Sequence, residues 1–261
     1  MSFIGKVVSA GSVRRNTALR NEIKMAVELN GNRMRVNVHP NSYAEEYARP
    51  ARFVFGIPKV KDMELVRYLY GQCFHEEMAA KYHAYIKRQE GSIKRYDGFQ
   101  VVLALDPAKT EKWLRGMKFP GITLVLPTVG VEADEMRDPT PKFTDEEGKG
   151  DTWGYFAKFL KGLGVTDVEI AGEVAFTNST KTFLVYQIGN GKEGCVPAAE
   201  DGLSKHFRVK VNSRLTFPNM DINSERLEEY LVNKYFNRVN FYDGMIDIVR
   251  FFRSINPFSR A

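Results

Sequence analysis

The chain has two cysteines in 261 residues, Cys73 and Cys195, far apart in sequence. Two cysteines in a chain this long build no disulfide framework, and no CxxC pair is present to hold a metal. A reducing compartment, the cytoplasm, is the expectation that follows. No uninterrupted apolar run approaches the length that spans a bilayer, so no membrane segment is expected. HExxH, GxSxG and the P-loop GKS or GKT are all missing, which removes the commonest zinc-protease, serine-hydrolase and NTPase signatures. Histidine is scarce too, at four residues. His75 and His83 lie eight apart on one helical pattern, whereas ligand pairs on one helix are three or four apart. No metal site is therefore assigned. Internal repeats, low-complexity tracts and coiled-coil heptads are also lacking.

Acidic residues are absent before Glu22, while Lys6, Arg14, Arg15 and Arg20 are present. Basic, serine-containing and acid-free is how a transit peptide reads. The same residues also spell an early strand, Phe3 to Val8, followed by a basic turn, and that is the reading adopted. The chain is otherwise rich in what a globular core needs. Apolar residues make up 43%, with 18 Phe and 12 Tyr, so long disorder is excluded. The net charge of +6 and pI near 9.1 describe a basic protein and favour anionic partners such as nucleotides or nucleic acid.

Short β-branched runs alternate with helical patterns. Strands are expected at Arg33 to Val38, Arg52 to Ile57, Phe99 to Leu105, Ile122 to Leu126, Asp167 to Ala171, Thr182 to Ile188 and Phe207 to Val211. Helices are expected at Lys61 to Arg88, Lys109 to Met117, Thr152 to Leu163, Gly194 to His206, Ser224 to Tyr235 and Gly244 to Phe252. FQVVLAL and ITLVL are continuous apolar runs, as in strands covered on both faces. The alternation predicts a single α/β domain over residues 1–261, with a mainly parallel, Rossmann-like, doubly wound sheet and helices on both faces. Residues 128–151, rich in Pro, Gly and acids, are expected to form a mobile acidic loop.

The strongest chemical signal is Gly189-Asn190-Gly191-Lys192-Glu193-Gly194, a GxGxxG pattern between an expected strand and an expected helix. Glycines there permit a tight turn and close backbone approach, and the helix N-terminus offers free N–H groups to a phosphate. The pattern predicts that Gly189, Gly191 and Gly194 bind a nucleotide or other phosphate-bearing ligand. A nucleotide or dinucleotide cofactor would suit them. The strand FRVKV is expected to end at Asn212-Ser213-Arg214, which supplies no acid for a ribose; Arg214 would instead meet a 2′-phosphate.

Two alternatives stand beside that reading. Lys87-Arg88, Lys94-Arg95-Tyr96 and Arg14-Arg15 suit a phosphate backbone, with Tyr85 and Tyr96 for stacking. They describe a non-catalytic nucleic-acid-associated or assembly protein. The other alternative starts from Cys195 at a helix N-terminus, where a thiol's pKa falls, and from Asp106 at the end of FQVVLAL. The segments VEIAGE and GCVPAA resemble those flanking the nucleophile of isochorismatase-like cysteine hydrolases. That resemblance implies a catalytic aspartate, lysine and cysteine in that chain order: Asp106, then Lys142 or Lys149, then Cys195. Here a long insertion, Val174 to Glu193, separates the strand from the cysteine.

Overall fold

The computed structural model describes residues 5–42, 75–130, 138–143, 152–175 and 195–218. Expected elements at Arg52 to Ile57, Thr182 to Ile188, Ser224 to Tyr235 and Gly244 to Phe252 lie outside these residues, as does the start of the long helix. The chain divides into two compact units. One comprises Met1–Tyr43, His83–Phe176 and Lys192–Asn219, and it contains every described strand. The other comprises Ala44–Tyr82, Thr177–Gly191 and Met220–Ala261, of which only residues 75–82 are described.

The described elements are β1 (Lys6–Ser9), α1 (Ala10–Arg15), α2 (Thr17–Leu29), β2 (Arg33–Val38), α3 (His75–Arg95), β3 (Phe99–Ala104) and α4 (Pro107–Arg115). They continue with β4 (Ile122–Gly130), β5 (Asp138–Pro141), α5 (Thr152–Gly162), β6 (Asp167–Ala175), α6 (Cys195–Ser204) and β7 (Arg208–Pro218). Six strands form one parallel path in the order β1-β4-β3-β2-β6-β7, and β5 pairs antiparallel with β4. The expected α/β sheet with helices on both faces is what the chain forms.

Local chemistry sets the helix boundaries. Asn16 caps α2, its Oδ1 accepting from Leu19 N at 3.0 Å. Asp106 caps α4 in the same way, accepting from Lys109 N at 3.0 Å, with Pro107 in the first turn. The long helix runs past the expected Arg88 to Arg95. Gly91 and Ser92 look like a break in the sequence, yet Gln89 and Ile93 are both fully buried and prolong the packed face.

Direction of travel across the sheet sorts the helices between its faces. The connections β1 to β2, β4 to β6 and β6 to β7 run one way along the strand order, and β2 to β3 and β3 to β4 run the other. Right-handed crossovers put these two sets on opposite faces. The cores agree. Val13 of α1, Val27 of α2, Phe156 of α5 and Val196 of α6 share one apolar cluster with Val36, Leu103 and Ile170. Ile93 of α3 and Leu114 of α4 share another with Val102, Ala104 and Val125.

The second face is unusually polar. Alternation along the strands brings Arg35, Asn37, Gln100, Thr123 and Glu169 to the side of α3. Arg35 donates to Glu169 at 2.8 Å and to Ser92 of α3 at 2.7 Å, and its guanidinium stacks 4.5 Å from the Tyr96 ring centre. Asn37 donates to Gln100 at 3.0 Å, and Gln100 donates to Thr123 at 2.9 Å, all fully buried. Buried amides require such partners.

Further expectations change, the basic turn after the first strand among them, which is α1 followed by α2. Within the expected loop over 128–151, the described residues 128–130 and 138–141 are strand: β4 runs to Gly130 and β5 pairs with it, Thr128 opposite Pro141. Prolines at 139 and 141 are tolerated in β5 because it lies off the main path, paired only with β4. In turn, β7 does not end at Asn212-Ser213-Arg214 but bulges there. Val211 pairs with Ile170 and Thr216 with Gly172, so residues 212–215 stand against Ala171.

Candidate functional site

Adjacent strands whose connections leave in opposite directions open a crevice beyond their carboxyl ends, and ligands of open α/β sheets bind there. Such a pair here is β2, which leads toward β3, and β6, which leads away from it toward β7. They pair in parallel from Arg33 with Asp167 to Val38 with Gly172.

The two strands meet closely at this end because Gly172 has no side chain. Its φ is +130°, and a Cβ built there would lie 2.1 Å from the carbonyl oxygen of Val38. The residue after Val38 is His39, with φ +46° in the left-handed region. Few residues without a flexible backbone adopt it, and such strain clusters at functional sites. His39 N donates to Leu103 O at 2.8 Å, which ties the end of β2 to β3. Its carbonyl accepts from Ser42 N at 3.2 Å.

Polar groups crowd this edge although it is buried. Glu173 is fully buried, and its carboxylate accepts from Ser42 N at 2.9 Å and from the Ser42 hydroxyl. His39 is 2% exposed, Asn41 8% and Thr110 2%. Thr110 of α4 donates to Asn41 at 3.4 Å, so the turn after β2 is held from both sides, by α4 and by β6. Thr128 adds a further buried hydroxyl, 3.5 Å from Ala104 O. Desolvating so many polar groups opposes folding unless each is bonded. A core built for stability alone would use fewer of them.

The residues singled out from the sequence fall in several places. Gly189, Gly191 and Gly194 lie outside the described residues. In the chain they fall between β6, one of the two parting strands, and α6, which begins at Cys195. Cys195 is buried in the apolar cluster with Val196, Ala199 and Leu203. Asp106 is exposed and caps α4 on the other face of the sheet. It follows β3, and β2 stands between β3 and β6. Lys142 is exposed, its backbone N donating to Pro127 O at 2.8 Å, and Lys149 lies outside the described residues. Arg214 is exposed on the β7 bulge, its carbonyl accepting from Arg88 at 3.1 Å. Among the described residues no group of three His, Cys, Asp or Glu is placed to hold a metal ion. None of their helices is long and apolar enough to cross a membrane.

His39, Asn41, Ser42 and Glu173 were not singled out from the sequence. His39-Pro40-Asn41 reads only as the end of a strand, and Glu173 only as the last residue of the segment VEIAGE. Their common signal is position: each lies at or just past the carboxyl end of a central strand. Which strands lie together at the switch point is a property of topology, which residue patterns do not carry. Compared with known protein families, with curated proteins and with solved structures, the chain matches none.

Proposed function

We propose that the chain binds a nucleotide or another phosphate-bearing ligand at the carboxyl edge where β2 and β6 part. The observation that carries this reading is the buried polar set on that edge: His39, Asn41, Ser42, Thr110 and Glu173. It occurs at a position where this strand order opens a crevice. The GxGxxG pattern, Gly189 to Gly194, supports the reading by its place in the chain, between β6 and α6. A helix leading away from that edge directs its positive end toward a bound anion. The net charge of +6 favours the same ligands.

Titration calorimetry with ATP, GTP, NADH and NADPH tests the proposal. Binding of at least one at millimolar concentration or tighter is expected. Gly191→Val should weaken that binding by about tenfold or more, equivalent to about 1.4 kcal/mol of lost contact, with little change in melting temperature. A wild-type protein that binds none of the four rules the reading out.

A further inference from the structure

We propose that the seam between α3 and β7 binds the phosphate backbone of double-stranded nucleic acid. This surface is separate from the β2–β6 edge and does not depend on a ligand there. Helical spacing sorts the side chains of α3. Gln89 and Ser92 point down to the sheet, where Gln89 donates to Leu215 O and Ser92 accepts from Arg35. Glu90 and Ile93 face α4, Glu90 accepting from Trp113 at 3.2 Å and Ile93 sharing a cluster with Leu114. Arg88, Gly91 and Arg95 recur at spacings of three and four on the opposite flank. Arg88 shows where that flank lies, since its Nε donates to Arg214 O at 3.1 Å, in the β7 bulge.

The strand brings cations of its own. Lys210 pairs with Glu169 and Glu169 with Arg35, so Lys210 stands on α3's face of the sheet. Arg88, Arg95, Lys210 and Arg214 are all exposed, and none forms an ion pair with a described residue. The carboxylates beside them on β6 are engaged. Glu169 accepts from Arg35 at 2.8 Å and from Asn212 at 3.2 Å, and Asp167 accepts from Arg208 at 2.8 Å. Helix ends attract basic residues through the dipole, but that effect fades within one turn. It accounts for Arg95 and not for Arg88, two turns earlier, nor for the residues of β7. Charges on an edge strand discourage strand pairing, yet Arg88 and Arg95 are on no strand.

The seam suits a line of phosphates. Arg88 is anchored through Nε to a carbonyl, so its charge is not cancelled and its terminal nitrogens face outward for a bidentate contact. Gly91 lies between the two arginines on the same flank. Glycine weakens the middle of a helix, and its use suits close approach by another backbone. Packing does not require it, since an Arg95 nitrogen lies 3.5 Å from where a Cβ would stand, an ordinary contact. Two helical turns separate Arg88 from Arg95, about 10 Å, which spans about three phosphates of one duplex strand. A base-stacking single strand fits less well because the aromatics here are taken. Tyr85 is buried against Phe217, and the Tyr96 ring carries the Arg35 guanidinium. A membrane surface calls for apolar anchors beside the cations. The exposed large apolar residues among those described, Met25, Leu29 and Val129, lie on α2 and β4 instead.

Fluorescence anisotropy of the full chain with a labelled DNA duplex of about 20 base pairs, from about 50 to about 200 mM salt, tests the proposal. With about three or four phosphates neutralised, the log–log salt slope should be about −2.7 to −3.6, a loss of about 40- to 150-fold in affinity over that range. The double variant Lys210→Gln and Arg214→Gln should bind at least about tenfold more weakly at the lower salt and flatten the slope by about 1.8. The charge-matched double variant Lys118→Gln and Lys158→Gln, exposed elsewhere on the surface, should keep the wild-type slope. Every changed side chain is exposed, so all should melt within a few degrees of wild type. Should the β7 variant melt lower, Arg95→Gln carries the test, with a slope flatter by about 0.9. Equal losses in the seam and control variants mean diffuse attraction by net charge and overturn the proposal. A wild type that leaves the duplex unbound at about 100 µM protein and the lower salt overturns it too. Capture by vesicles containing phosphatidylserine, with the duplex ignored, would reassign the seam to a lipid surface and likewise overturn it.

Discussion

Adding a single methyl group at Gly172 should be among the most damaging small changes possible in this sheet. Two effects combine. The φ of +130° is one that only glycine adopts freely, and forcing alanine into it costs about 1–3 kcal/mol. The new Cβ would also lie 2.1 Å from Val38 O and 2.5 Å from Val38 N. Both are backbone atoms of the paired strand, so no side chain can swing away. The strands must separate, an overpacking cost of about 1–3 kcal/mol more. Gly172→Ala should therefore lose about 2–6 kcal/mol, or on the order of 10 °C in melting temperature for a chain this size. Two other glycines serve as controls. Gly164 has φ +88° with nothing within 4 Å of an added Cβ, so alanine there should cost only the backbone strain, about 1–2 kcal/mol. Gly162, the last residue of α5, has open space and no positive φ, so alanine should be neutral or stabilise by up to about 1 kcal/mol. Urea denaturation of the three variants gives the order directly. A loss below about 1 kcal/mol at Gly172, or Gly164→Ala costing more than Gly172→Ala, refutes the close approach of β2 and β6.

Two further outcomes follow from burial. Burial pushes the Tyr96 phenol up to about 12, against the opposing pull of Arg35. Neutral Tyr96 thus contributes stability that is complete below the ordinary tyrosine pKa near 10 and is lost as pH climbs toward 12. Ultraviolet titration should show Tyr96→Phe removing a tyrosine transition from the high-pH end, and Tyr96→Phe should lose less stability than wild type above pH 10. Cys195, 3% exposed, should react with iodoacetamide at pH 8 far more slowly in the native protein than in urea. Rapid native labelling would show a thiol poised for chemistry and would favour the cysteine-hydrolase alternative.

The sheet was legible in the sequence because its central strands are apolar and rich in β-branched residues. RMRVNV, FQVVLA and ITLVL announce themselves by composition, and Asp106-Pro107 marks a helix start through capping chemistry alone. Extents were harder. The bulge at Asn212–Leu215 puts polar residues into the middle of β7, which reads as a strand ending. β5 contains two prolines, and its strand character comes from pairing with β4 rather than from propensity. The site was hardest, since its residues are 131 apart in sequence, as between Ser42 and Glu173. Nothing in HPNS or AGE signals that the two segments meet. Only the strand order, with β6 inserted beside β2 after β4, brings them together.

Backbone hydrogen exchange with and without a saturating nucleotide reads most directly whether a ligand binds at the proposed edge of the sheet. Protection should rise in residues 39–42 and 172–173, at the carboxyl ends of β2 and β6. It should stay unchanged in residues 30–32 and 164–166, at the amino edge, where Thr166 and Asp167 bond to Asn32 O. Protection that grows at the amino edge instead, or that leaves residues 39–42 untouched while nucleotide is bound, contradicts the assignment.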